Sequence, residues 1–463
     1  MDSILCDELL QEIFYRLPPS SSPAVSLVSK RWLRLLRSST VALSLSFSNP
    51  LFLPSLSSFL SHHPYLSSLS LSNAASASAV SSDHLLHSVS FSCPNLRHLR
   101  FLSDPVSHFS LLSLSTSCLH LSSLSITLSR PLCFQWLPAL HSLKDLSIVL
   151  SGNPTGFSYD GLPEILDAEL NLEYLCLSGS RGGDYGLNFL WRNCKKVKKL
   201  KLKSCESVGD NASFSAFIKE LKALQEVELR TCRSIADGVL LKLAENSVSL
   251  NSLLVYDGGS KDGLLQFINQ YRTRSDIQNL DVRLPLDLDN DHLMAIAENF
   301  RSLLSLRLQS CCLVTGEGLK AIGRALSDVL RELALINCDV VERESGLLTT
   351  LGQNLKRLRK LDLSYNEMLL DKELSSMVIS CGNLSELKLR GCNRLTNVAM
   401  VSMARSCKLL EIVDIMYCSR IESEAVELFL LSSSRMIQLQ IEESKLSAVA
   451  RTLASDKFIK VVA

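Results

Sequence analysis

The chain has 463 residues, 46% of them hydrophobic, and its 48 basic and 47 acidic side chains leave a formal charge of +1. That balance sets up no global field toward nucleic acid or an anionic bilayer, so partner choice must be local. The 15 cysteines include no C-x-x-C pair, which argues against zinc and thioredoxin-like chemistry. The first forty or so residues follow a helical grammar. Apolar residues 9, 10, 13, 14 and 17 within Asp7–Leu17 fall on one helical face, and Pro18 and Pro19 stop the helix. Ser22 is placed to cap a second helical stretch with Pro23 in its first turn, and Val25, Val28, Trp32, Leu35 and Leu36 supply the next apolar stripe. So short a segment cannot bury all of this surface alone, and part of it must meet the first repeat or another protein. Asp2, Asp7 and Glu8 stand where a secretory signal would be basic and then apolar; with many unpaired thiols this points to the nucleus or cytoplasm.

Leu5-Cys6-Asp7-Glu8, then Ile13 and Leu17 in register, then Val28-Ser29-Lys30-Arg31-Trp32, resemble the Leu-Pro-Asp-Glu opening and the Val-Cys-Lys-Arg-Trp of the F-box family. Cys6 departs from the family's proline and gives up a rigid helix start. The resemblance covers residues 4 to 40 and implies a helical module that holds the Skp-type adaptor of a cullin-RING ubiquitin ligase. Carried over residue by residue, the adaptor contact falls on Leu5, Leu9, Leu10, Ile13, Phe14, Leu17, Val28 and Trp32, through apolar burial.

Residues 38 to 82 contain no Asp, Glu, Lys or Arg, but serines and prolines interrupt the leucines too often for a membrane span. Serine makes up roughly a third of residues 41 to 130. The segment is nevertheless read as ordered, because Leu66-Ser-Ser-Leu69-Ser-Leu71 and Leu121-Ser-Ser-Leu124-Ser-Ile126 keep serine mostly off the inward positions. Thr40–Leu45 looks like a degenerate first coil. The Leu-x-x-Leu-x-Leu pattern then recurs, with middle residues Leu69, Leu99, Leu124, Leu146, Leu175, Leu200, Val227, Leu253, Leu280, Leu306, Leu333, Leu361, Leu387, Val413 and Leu439. A period of this size marks a leucine-rich-repeat solenoid, each repeat adding one strand and one helix to a stack that no single coil could form alone. The expected organisation is residues 1–40, a solenoid over 41–444, and a cap over 445–463. The expected fold is an α/β horseshoe with parallel strands on its concave face and helices on its convex face.

Eleven cysteines fall on two recurring positions. Cys205, Cys232, Cys311, Cys338, Cys392 and Cys418 lie five residues after a middle residue, where Asn366 stands in its own repeat, and Cys93, Cys118, Cys194, Cys381 and Cys407 lie six before one. Burial explains both sets better than bridging or catalysis. Leu384-Ser-Glu-Leu387-Lys-Leu389-Arg-Gly-Cys392 resembles the cysteine-containing repeats of F-box proteins, and the serine-rich early repeats have a plant-like character. An F-box followed by such repeats implies a substrate receptor of an SCF-type ligase.

Period two sends the residues one before, one after and three after each middle residue to the concave face. The early coils offer the neutral Ser68, Ser70, Ser72, Ser123, Ser125 and Thr127. Later coils carry mixed charge, which suits a protein substrate, with Lys199, Lys201, Arg230, Tyr256, Arg283, Arg307, Lys388 and Arg390 as candidate contacts. Six lysines between 195 and 203 suit an acidic or phosphorylated segment; an inositol polyphosphate there is what resemblance to some plant F-box hormone receptors implies. Otherwise no cofactor or metal is expected. The connections 151–161, 178–186 and 256–263 read as mobile, glycine-bearing tips offering Tyr159, Arg181, Tyr185 and Tyr256. G-x-S-x-G, H-E-x-x-H and a P-loop are missing from the sequence. The reading is therefore a non-catalytic recognition subunit, the alternatives being a scaffold without a ligase or a small-molecule-dependent receptor.

Overall fold

The computed structural model describes residues 5–47, 53–73, 79–152, 168–271, 276–285 and 287–462, and divides into two compact units, Met1–Leu221 and Lys222–Ala463. The first begins with helices α1 (Asp7–Arg16), α2 (Ser22–Ser26) and α3 (Lys30–Ser39). Leu10, Phe14, Val25 and Leu35 form a small core, with Leu5, Trp32 and Leu36 packed around it. Ser29 caps α3 by accepting from the Trp32 N–H, and Arg31 binds Asp7 Oδ1 (2.9 Å from Nε) and the Leu5 carbonyl (2.8 Å). The two ends of the motif read from the sequence are thereby tied together.

Among the described residues seven strands follow in this unit: β1 (Ala42–Phe47), β2 (Ser68–Asn73), β3 (His98–Val106), β4 (Ser123–Ser129), β5 (Asp145–Ser151), β6 (Tyr174–Ser178) and β7 (Lys199–Lys203). Each pairs in parallel with the next, and the middle residues stand in register from Leu43 through Leu69, Leu99, Leu124, Leu146 and Leu175 to Leu200. The segment suspected as a degenerate first coil is therefore a full strand. The second unit has β8 (Glu226–Arg230), β9 (Ser252–Tyr256), β10 (Asn279–Arg283), β11 (Ser305–Gln309), β12 (Glu332–Ile336), β13 (Lys360–Asp362), β14 (Glu386–Lys388), β15 (Ile412–Asp414), β16 (Gln438–Gln440) and β17 (Lys460–Val462). It keeps the same parallel register from Val227 through Leu306 to Leu439 and Val461. The stretch read as a cap, 445–463, holds a helix and β17, so it continues the repeat by one further coil.

Leucine burial is supplemented by lateral hydrogen bonds that join many of the coils to a neighbour, at three kinds of place. The first is the strand exit. Four residues after the middle residues from Leu175 to Val413 the backbone is left-handed, at Gly179 and Ser204 in the first unit and at Thr231, Asp257, Leu284, Ser310, Asn337, Tyr365, Gly391 and Tyr417 in the second. Its N–H reaches the exit carbonyl of the next coil, as in Gly179 to Lys203 (2.9 Å), Thr231 to Tyr256 (2.8 Å), Leu284 to Gln309 (2.9 Å) and Asn337 to Ser364 (3.0 Å). A side chain there costs roughly 1–2 kcal/mol, but an unpaired backbone N–H would cost a similar amount.

The second place is the cysteine position. The thiols of Cys205, Cys338, Cys392 and Cys418 donate to the carbonyls of Leu177, Leu308, Leu363 and Leu389 in the preceding coil, at 3.6, 3.6, 3.2 and 3.0 Å. Asn366 does the same more strongly, with its amide on Leu335 O at 2.8 Å. The other cysteine set closes helices: Cys118, Cys194, Cys381 and Cys407 are C-caps. Burial pushes the Cys93 thiol up to about 11 and that of Cys118 to about 12. At the third place, a residue at the start of one helix accepts the cap N–H of the next coil, as Asp237 does from Ser260 (2.7 Å), Asn290 from Thr315 (2.9 Å) and Asp371 from Thr396 (2.9 Å).

Of the cysteines, Cys6 and Cys312 are exposed and Cys133 is half-buried, and the rest are buried. Alkylation of the native protein is expected to modify Cys6 and Cys312 first, with the others reacting only on denaturation. Rapid native labelling of Cys205 or Cys392, read by peptide mass, would contradict the lattice role.

Candidate functional site

The helical module presents two kinds of apolar residue. Leu10 and Phe14 are interior, so the expectation that they form the contact face is corrected, while Trp32, half-buried, lies against Phe14 with ring centres 5.3 Å apart. Leu5 packs beside them. Leu9, Ile13, Leu17 and Val28 face out, from 38% to 56% exposed, and Leu27, which the sequence reading passed over, is 85% exposed. Large aliphatic groups concentrated like this on one small helical module are the signature of a partner surface. The missed residue follows from the turn: Leu27 is the C-cap of α2, off the helical periodicity that selected the others.

On the strand face the alternation is as read, with Lys199, Lys201, Arg230, Tyr256, Arg283, Arg307, Lys388 and Arg390 outward, although Thr127 of the early strip is buried. The six lysines do not form one basic site. Lys195, Lys196 and Lys198 lie before β7 and pair with Glu220 (3.4 Å), Glu169 (2.8 Å) and Glu173 (2.6 Å). Only Lys199, Lys201 and Lys203 stand on the strand, and Lys201 lies 5.8 Å from the Tyr174 ring centre. The hydrogen bond from Lys198 holds the Glu173 carboxyl below its usual range.

Nor are the cationic candidates of the second unit bare charges. Arg283 makes a forked bond to Asp281 (2.8 and 2.6 Å), Arg390 bonds Asp414 (3.0 Å), Lys388 pairs with Glu386 (2.6 Å), and Arg230 with Glu228. Arg307 is held more loosely between Asp281 (3.8 Å) and Asp362 (3.4 Å). Its reach to Asp362 spans Ala334, the small residue at the floor of a 160 Å³ depression walled by Arg307, Glu332, Lys360 and Asp362. Such a hollow suits a single side chain of a bound protein. The bond from Glu332 holds the Lys360 ammonium above its ordinary range.

Two of the three connections read as mobile are described in full, and both are fixed in place. Arg130 donates to both oxygens of Asp184 (2.7 and 2.8 Å) and to the carbonyls of Gly152 and Gly179 (2.8 Å each), and Asp184 also accepts the Arg181 N–H at 2.8 Å. The pair is only 3% and 2% exposed. Tyr185 is therefore presented, 67% exposed, from a rigid loop. In the other connection, Ser260 caps the next helix and Arg233 holds Asp257 at 2.6 Å. Tyr159 lies outside the described residues. Nothing in the local sequence announced Arg130, because its partners are 22 to 54 residues away.

With this geometry in hand, a family model for the F-box domain matches residues 3–42. An F-box domain here precedes leucine-rich repeats. Among solved structures, a chain from the crystal structure of the Rad7 and Elc1 complex in yeast matches with a TM-score of 0.51 at 14% identity, over 98% of this chain and 92% of that one. The leucine-rich repeat-containing protein LegL7 from Legionella pneumophila matches at 0.43 and 15% over 61% and 97%, and an internalin from Listeria monocytogenes at 0.34 and 14% over 88% and 93%. At these identities the first likeness is one of fold. Among the described residues no helix is long and apolar enough to cross a membrane, and no group of three or more His, Cys, Asp or Glu is placed to hold a metal.

Replacing Arg130 by Ala would leave the Asp184 carboxylate buried without its partner, an effect of about 3–5 kcal/mol. All three tryptophans, Trp32, Trp136 and Trp191, lie in the first unit. Urea unfolding followed by tryptophan fluorescence should therefore shift to markedly lower denaturant; an unchanged midpoint would show that the clamp is dispensable.

Proposed function

We propose that this chain is the substrate-recognition subunit of an SCF-type cullin-RING ubiquitin ligase. Its F-box binds a Skp-type adaptor, and its strand face binds a protein target for ubiquitin transfer carried out by other subunits. The observation that carries the reading is the join of an F-box domain, with Leu9, Ile13, Leu17, Leu27 and Val28 outward, to a repeat fold whose strand face is covered with polar and charged side chains. The similar chain from a Rad7 and Elc1 complex supports a fold of this kind working in an assembly. In this role the protein supplies proximity and orientation rather than a nucleophile. The nucleus or cytoplasm is the proposed setting.

The adaptor contact rests mainly on apolar burial by the exposed residues. Burying one such side chain is worth about 1.5–3 kcal/mol, and setting a charge in its place adds a desolvation penalty. Ile13→Asp and Val28→Asp should each reduce co-purified Skp-type adaptor by about tenfold or more, with an unchanged circular dichroism spectrum because both side chains face solvent. Trp32→Ala is a poorer probe, since it also removes the Phe14 contact. Wild-type recovery of adaptor with both aspartate variants would refute the assignment.

A further inference from the structure

In the second unit the row one after the middle residues mixes carboxylates with Arg307 and Lys388, whereas the exit row carries arginine as its charged residue. Glu228, Asp281 and Asp414 stand one residue after a buried middle residue, whereas Arg230, Arg283 and Arg390 stand three after, at the strand exit. Between residues 230 and 416 this exit row contains no carboxylate. The nearby rim carboxylate, Asp257, is held by Arg233 at 2.6 Å.

Each exit arginine is anchored from behind by one of those carboxylates. Two of them also lie over a tyrosine: Arg230 is 5.9 Å from the Tyr256 ring centre, and Arg390 is 5.8 Å from that of Tyr417. Tyr365 and Tyr417 are 45% and 52% exposed, lifted to the rim by left-handed backbone at φ 62° and 61°. Between them Gly391 leaves room for the Tyr365 ring, since a Cβ there would come within 2.9 Å of it. Behind the exit arginines carboxylates are interspersed with Arg307 and Lys388, so the row of charge of one sign is the exit row. Arginines already held in place lose little freedom when they bind, and Arg and Tyr dominate binding hot spots. The Asp281 bond keeps the Arg283 guanidinium charged.

We propose that the exit row of the second unit is a docking line for an extended, Asp- and Glu-rich segment of the target protein, lying across the strands. This rests on the strand face being the recognition surface. Arg230 and Arg283 are two strands apart, about 10 Å, and Arg283 and Arg390 four strands apart, about 19 Å, at ~4.8 Å per strand. In the polyproline II form an extended chain advances ~3.1 Å per residue with about three residues per turn, so acids at positions 1, 4 and 10 of a decapeptide share one face and meet the three arginines.

The test is fluorescence anisotropy of the full-length protein with a labelled decapeptide carrying Glu at those three positions, against the same peptide with Gln. Binding is expected in the range of tens of micromolar at low salt, weaker by about tenfold for the Gln peptide and by about fivefold in Arg283→Gln or Arg390→Gln. Arg283→Lys, which keeps the charge and the packing, should retain part of the affinity, while Arg100→Gln in the first unit should retain all of it. Adaptor recovery stays at the wild-type level in all four variants, so failure of the docking line is distinguishable from failure of the ligase reading. No binding at millimolar peptide, equal binding of the Glu and Gln peptides, or indifference to both Gln variants would overturn the proposal.

Discussion

The strand exits from Leu175 to Val413 each turn on a left-handed residue, and at Gly179 and from Thr231 to Gly391 its N–H is bonded to the neighbouring coil. From β6 onward that bond adds to the strand pairing and the leucine ladder in fixing the register of the stack. Most residues there have side chains, including the large Leu284, Tyr365 and Tyr417, so a strained conformation is kept at roughly 1–2 kcal/mol each. The strain persists because the competing arrangement leaves a donor unpaired at each coil, a loss of the same size repeated along the stack.

The same constraint organises the faces of the molecule. Once the exit is fixed, the residue before it and the residue at it project to the rim, which is how Arg390 and Tyr417 come to lie together and how Arg230 meets Tyr256 across adjacent strands. Register thus converts three independent strand sequences into one arginine row. Within the helical module a comparable economy operates: Arg31 and Ser29 fix the start of α3 against the start of α1, and the small core of Leu10, Phe14, Val25 and Leu35 leaves Leu9, Ile13 and Val28 outside.

Much of this was legible in the sequence because it is periodic. Within each unit the middle residues, Leu69 to Leu200 and Val227 to Leu439, pair as their spacing predicts, and the two cysteine sets mark the strand turn and the helix end. What stayed hidden depends on partners distant in sequence or on backbone conformation. Asn366 and Cys392 looked like buried lattice residues, yet each also donates to the preceding coil. Leu284 and Tyr365 carry no mark of a left-handed turn, a conformation usually signalled by glycine or asparagine. The lysines from 195 to 203 read as one basic cluster, but the turn before β7 sends three of them to carboxylates on earlier coils and at the end of the following helix. Arg130 was invisible because a buried ion pair leaves no periodic trace.

The central claim is that lateral bonds at the strand exits hold coil to coil within the second unit. Native-state hydrogen exchange at the amides of Leu284, Asn337 and Tyr365 tests it most directly. These positions lie in turns at the sheet margin, where unpaired amides would exchange freely. The account predicts protection equal to that of the strand amide of Leu306; exchange at the rate of an open surface turn would contradict it.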